Sequence, residues 1–163
     1  MSLSPSALSR LEFQHQTIRE LIRNTTEEQL HRRVQPDKWS VFENIAHLAA
    51  YQPVFLARLK RMQEETDPEF SRYIADQDPN FPAALTKTTN QLLTDIDQQR
   101  TTILTTLAAM DDTTLARNGI HPKYGRFAIK EWAEFFLLHE AHHMYTIFML
   151  VQDLQKDLHK VLE

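Results

Sequence analysis

Residues 132–143 read Trp132-Ala133-Glu134-Phe135-Phe136-Leu137-Leu138-His139-Glu140-Ala141-His142-His143, inside the most apolar segment of the chain. Apolar residues recur at helical spacing from Ala128 to about Leu158 with no glycine or proline between them, which predicts one long helix. At about 100° per residue, Trp132, Phe135, Phe136, His139, His143, Thr146, Leu150 and Leu154 fall on one stripe pointing at a core. Leu137, Met144, Phe148 and Val151 make a second apolar face, so this helix is expected at the centre of a bundle or in a subunit interface.

His139 and His143 are one turn apart and present their rings on the same face. A buried polar group without a partner costs about 1–3 kcal/mol, and two such groups side by side favour a ligand. An i,i+4 pair offers two neutral nitrogens to one ion of the zinc, nickel, iron or copper kind. No Asp or Glu is placed at mid-stripe near the pair, so an all-histidine site would leave the ion's charge unneutralised and strongly Lewis acidic. For a third ligand the candidates are His47 and His15, each near the core stripe of another helix. His121 falls in a loop, His31 and His159 lie in polar surroundings, and His142 sits beside the stripe. The same residues match His-Glu-x-x-His with Glu140 as general base. Against a protease stand the lack of a downstream third ligand and of a strand to hold a peptide.

The chain of 163 residues fits a single domain over residues 1–163. Its 18 basic and 22 acidic residues are interspersed, at a formal charge of -4, which argues against a nucleic-acid surface. Cysteine is absent, so there is no disulfide, no thiolate ligand and no protein thiol nucleophile. No apolar run reaches the ~20 residues of a membrane span and Met1 to Arg10 lacks the layout of a signal peptide, so a cytoplasmic protein without a membrane partner is expected.

Only two glycines, Gly119 and Gly125, leave little turn chemistry for hairpins, and the chain reads as almost wholly helical. Ser4-Pro5 opens a first helix to about Asn24 with Leu8, Leu11, Ile18 and Ile22 inward and His15 on the same stripe. Thr25-x-x-Glu28 reads as a capping box for a short helix. Ser40-x-x-Glu43 caps a long second helix to about Gln63, with His47 at the edge of its stripe near Tyr51 and Pro53 one turn later. Asp67 to Pro82 is a long polar connection with one helical turn near Phe70 to Ile74. A third helix is predicted from Pro82 to Met110 with Leu85, Leu92, Ile96, Ile103 and Leu107 inward, then a turn capped at Asp111-Asp112 and a loop or short extended pair over Ile120 to Phe127. The fold class is therefore all-α: a four-helix bundle with a long crossover connection, in which sites form from inward-facing side chains.

Trp39-Ser40 followed by Glu43, then Ile45-Ala46-His47-Leu48, then His121-Pro122 and Gly125, then His139-Glu140-Ala141-His142-His143, resemble in order and spacing the DinB/YfiT-like superfamily. The resemblance runs from about residue 5 to 155. It implies a four-helix bundle, commonly dimeric, holding a divalent metal through one histidine of the second helix and two of the last. By position these are His47, His139 and His143, which selects His47 over His15. It also implies activation of the sulfur of a low-molecular-weight thiol such as bacillithiol, mycothiol or glutathione, for S-transfer or isomerisation. Zinc or nickel is the expected ion, and a homodimer the expected assembly. Metal-dependent hydrolysis of a small molecule with water as nucleophile is the alternative, and a non-catalytic metal-binding bundle the third reading. Tyr51, Glu140, His142 and Arg126 are candidates for contacts around the metal or substrate, and His15 departs from the family pattern.

Overall fold

The structure, a computed structural model, describes residues 3–162, with side chains for residues 3–156; His159 lies outside the described side chains. Helix α1 (Pro5–Phe13) starts where Ser4 Oγ accepts a bond from the Ala7 N–H at 3.0 Å, with proline in the first turn. A 3₁₀ turn at Gln14–Gln16 separates it from α2 (Thr17–Ile22), so the predicted first helix is one interrupted rod. The short α3 (Glu27–His31) is capped one residue later than predicted, by Thr26 with Gln29: the glutamine amide oxygen accepts from the Thr26 N–H at 2.8 Å as a carboxylate would.

The predicted capping box of α4 (Val41–Glu64) is present, with Glu43 N–H donating to Ser40 Oγ at 3.1 Å and Ser40 N–H donating to Glu43 at 2.7 Å. Pro53 is accommodated inside this helix. The predicted third helix divides into α5 (Asn80–Leu85) and α6 (Thr89–Ala108). The cause is local, because Thr88 and Gln91 form their own capping box and start a fresh helix. Leu85 is consequently 37% exposed instead of inward, and Leu8 of α1 is 38% exposed, while Leu92, Ile96, Ile103 and Leu107 are buried.

Helix α7 (Asp112–Leu115), capped by Asp111, leads into the antiparallel pair β1 (Asn118–His121) and β2 (Gly125–Ala128). Gly125 closes that turn at φ 78°, the left-handed region where a side chain is strained. The chain from Pro68 to Phe70 runs alongside β1 in extended form, with Phe70 N–H donating to the Ile120 carbonyl at 3.1 Å. This pairing replaces the helical turn predicted at Phe70 to Ile74; a 3₁₀ turn forms instead at Ala75–Gln77. Gly119 permits it, since a Cβ there would sit 2.5 Å from the Phe70 ring.

Helix α8 (Ile129–Leu162) is the long helix read from the sequence. Helix α4 packs against α6 and α8, and α1 against the same two, so α1–α2 and α4 lie diagonally opposed in a four-helix bundle. The apolar interior forms two clusters, one around Ile45, Leu92, Ile147 and Val151, the other around Phe55, Leu59, Trp132 and Phe136. They meet at the level of His47 on α4 and His139 to His143 on α8. On α8 the buried line is Trp132, Phe136, Glu140, Ile147, Val151 and Leu154, which leaves His139 and His143 at its border, half-buried. The second apolar face divides: Leu137 and Val151 are buried, whereas Phe148 is exposed with Leu138, Tyr145 and Met149. No helix among the described residues is long and apolar enough to cross a membrane.

Candidate metal centre

Capping at Ser40 sets the register of α4 and so fixes which face carries His47, two turns into the helix. The same register brings Asn44, one turn earlier, opposite α8. Across the seam, α8 supplies His139 and His143 one turn apart. The ligand-capable atoms of His47, His139 and His143 all lie within 4.8 Å of one another, and no other such cluster of three His, Asp or Glu occurs among the described residues. His47 Nε2 and His139 Nε2 are 3.0 Å apart.

The tautomer of His143 follows from its neighbour. Asn44 Nδ2 donates to the Ser40 carbonyl at 2.8 Å, which turns its Oδ1 towards His143 Nδ1, also at 2.8 Å. An amide oxygen only accepts, so His143 Nδ1 carries the proton and Nε2 keeps its lone pair. Burial holds all three rings neutral at pH 7. It lowers the pKa of His47 to about 4, and, aided by the neighbouring rings, those of His139 to about 3 and His143 to about 2.

These observations fit a divalent metal. Two neutral imidazoles 3.0 Å apart can share one proton between their nitrogens, but that leaves the third lone pair, on His143 Nε2, unused. A cation uses all three lone pairs. Nitrogens bound at ~2.1 Å to one ion stand roughly 3.0–3.4 Å apart, so side-chain rotations of about 1 Å close the set. Among the described residues no carboxylate joins the three rings. The nearest acidic influence is Asp78, which raises the His47 pKa against burial and accepts the Tyr73 hydroxyl at 2.8 Å; Tyr73 in turn packs against His47. Burial, with its bond to Asp78, pushes the Tyr73 phenol well above its ordinary range.

A cavity of about 600 Å³, lined by Tyr51, Arg58, Tyr73, Lys123, Phe135 and others, opens onto His139. A second, of about 620 Å³, reaches His143 between Trp39, Asn44, His142 and Leu150. The three rings thus stand between two openings.

The other candidates separate clearly. Tyr51 is at the site, its ring 4.6 Å from that of His139. His142 is exposed and lines the second cavity. Arg126 pairs with Asp67 at 2.8 Å, remote from the cluster. His15 is buried against Asp97 at 3.4 Å on the far side of the α1–α6 contact and is not a fourth ligand. His121 accepts the N–H groups of Lys123 and Tyr124, both at 3.1 Å, as a turn cap. Glu140 corrects the expectation that no acidic group occupies the stripe. It is 1% exposed and bound to the equally buried Arg100 of α6, while Gln14 donates to its other oxygen at 2.8 Å. It faces away from the three rings and joins α1, α6 and α8.

Asn44, Asp78 and Arg58 were not singled out in the sequence. Asn44 had a signal, being a polar residue between Val41 and Leu48 on an otherwise apolar stripe. Replacing Asn44 by Ala should lower metal affinity about 10- to 100-fold while keeping all three rings, as loss of a ligand-orienting bond does. Zinc titration of the folded variant checks this, and unchanged affinity would remove Asn44 from the site.

Comparison with known proteins bears on the fold and the family. No curated protein matches the chain. Among solved structures, YfiT from Bacillus subtilis, described as "a probable metal-dependent hydrolase with an unusual four-helix bundle topology", superposes at a TM-score of 0.77 with 17% identity over 96% of this chain and 90% of that one. TT2238, described as a four-helix bundle protein, superposes at 0.64 with 21% identity, over 87% and 95% of the two chains. An uncharacterized protein from Clostridium difficile 630 does so at 0.66 with 10% identity, over 92% and 94%. At these identities the likeness concerns the fold. Residues 10–147 match the model of the DinB superfamily, and with most of its length so covered the chain belongs to that superfamily.

Proposed function

We propose that the protein is a metal-dependent transferase that joins a low-molecular-weight thiol to a carbon electrophile, with His47, His139 and His143 holding the ion. The observation that carries this reading is the convergence of three neutral ring nitrogens at the end of an open cavity, with no carboxylate in the cluster among the described residues. A divalent ion at the three rings would supply Lewis acidity that favours a thiolate over a thiol at neutral pH. The rings contribute lone pairs and no charge, so that acidity is not blunted by anionic ligands. Asn44 holds His143 in the tautomer that keeps Nε2 free. The thiol proton leaves to solvent through the cavity; the sulfur–carbon bond forms as the leaving group departs with its electron pair.

Hydrolysis is the second reading, favoured by the description of YfiT. Water is a far weaker acid than a thiol and gains more from a general base, and the only acidic residue of the His-Glu-x-x-His segment is committed to Arg100. That favours thiol over water. The test is turnover of 1-chloro-2,4-dinitrobenzene and of a p-nitrophenyl ester by zinc- or nickel-loaded protein with and without added thiol. Thiol-dependent conjugation, absent from His139→Ala, is expected. Ester turnover that needs no thiol would replace the transferase reading by the hydrolase.

A further inference from the structure

Two arginines are buried in this bundle, and they are treated differently. Arg100, 1% exposed, meets the carboxylate of Glu140. Arg58, 8% exposed, has no carboxylate within 4 Å among the described residues. Its Nη1 donates to the Tyr51 hydroxyl at 3.2 Å and its Nη2 to the Ser71 carbonyl at 3.0 Å, both neutral acceptors. The aromatic rings of Phe70 and Trp132, each 5.3 Å from the guanidinium carbon, complete its surroundings. A desolvated cation without a counter-charge is costly, and π faces offset only part of that cost.

Arg58 lines the cavity that opens onto His139, along with Arg72 and Lys123, and no acidic side chain lines it among the described residues. The Tyr51 hydroxyl, having accepted from Arg58, retains its own proton for a ligand. One tyrosine ring therefore separates the buried cation from His139.

From this we propose that the cavity recognises an organic carboxylate: Arg58 and the Tyr51 hydroxyl take the anionic group, Arg72 and Lys123 draw it in from solvent, and the rest of the ligand extends to His139. In assigning this end of the cavity to a substrate, the proposal rests on the reading of the three-histidine site as reactive, but the anion contact itself needs no metal. Charge at the cavity end selects anionic over neutral substrates by direct pairing in a desolvated site.

The test is calorimetric titration and melting of the EDTA-treated full chain with succinate and phenylacetate, each beside its amide. Removing metal excludes coordination of the carboxylate by the ion. Binding of the acids at least threefold tighter than the amides is expected, retained in His139→Ala and lost in Arg58→Met. That variant should melt no lower than the parent, because an unpaired buried charge is replaced by a side chain of similar length. Equal response to acid and amide, or an undiminished acid response in Arg58→Met, would overturn the proposal. Should Arg58→Met fail to fold, the variant carrying both Arg72→Ala and Lys123→Ala, two exposed positions, must bind the acids at least threefold more weakly, and unchanged binding there overturns it equally. With zinc-loaded protein, glutathione and 2-mercaptoethanol place the carboxylate. An Arg58-dependent preference for glutathione assigns it to the thiol, and equal binding assigns it to the acceptor. Zinc titration of Arg58→Met should match the parent, so failure of the metal centre and failure of the anion site give separate readouts.

Discussion

Replacing His139 by alanine is expected to lower the affinity for one equivalent of zinc by about 60- to 700-fold. Structural zinc binding of about 10–16 kcal/mol divided over four ligands gives roughly 2.5–4 kcal/mol for each, and about 1.4 kcal/mol is tenfold. His47→Ala should behave alike, because its Nε2 and that of His139 face the same point. His15→Ala is the control and should bind zinc as the parent does, since His15 contacts Asp97 in another part of the bundle. Calorimetry in a non-chelating buffer, on variants checked by circular dichroism, measures this. The parent should also gain about 2.7 kcal/mol in stability at free zinc 100 times its dissociation constant, and His139→Ala much less at the same concentration. Stoichiometric zinc retained at parental affinity in His139→Ala would end the three-histidine assignment.

The second large effect concerns Glu140. Truncating it to alanine strands the Arg100 guanidinium, which is 1% exposed and among the described residues is otherwise bonded only to the Leu11 carbonyl at 3.3 Å, above the face of Phe136. Breaking one side of a buried pair costs about 3–5 kcal/mol. Replacing both partners, Glu140→Leu with Arg100→Met, should recover most of that loss, since two apolar side chains need no counter-charge. Urea denaturation of the two variants gives the comparison. Zinc affinity should stay at the parental level in the folded double variant, because Glu140 turns towards α1 and α6. A double variant that keeps parental stability and zinc but loses turnover would instead make Glu140 a catalytic base.

The start of α4 was legible because its signal is contained in four residues. Ser40 and Glu43 announce α4 because both partners of the capping box lie within one turn. The apolar rhythm from Pro82 to Met110 concealed the break before Thr88, since periodicity measures a face and is blind to a cap that competes with it. The pair His139 and His143 was visible because one helix carries both rings. Helix spacing could not choose between His47 and His15, since that choice depends on which helix lies across the seam; the family resemblance made it. Glu140 and Arg100 could have been paired from the sequence: each sits on the buried line of its own helix, Glu140 between Phe136 and Ile147, Arg100 between Ile96 and Ile103. Opposite charges embedded in two apolar stripes imply a buried ion pair. Arg58 and Asp78 gave no comparable sign, because their surroundings are made by Ser71 and Tyr73 of the irregular connection, where no period organises the chain.

Trp39 stands over the candidate site, its ring 5.0 Å from that of His47 and 6.2 Å from that of His143. The other tryptophan, Trp132, is fully buried beside Phe70 in the second apolar cluster. One indole therefore touches the histidines while the other reports from the interior. The protein therefore carries two optical probes: emission from Trp39 is placed to respond to an ion at the imidazoles, and that of Trp132, beside Arg58 and His121, to an anion in the cavity.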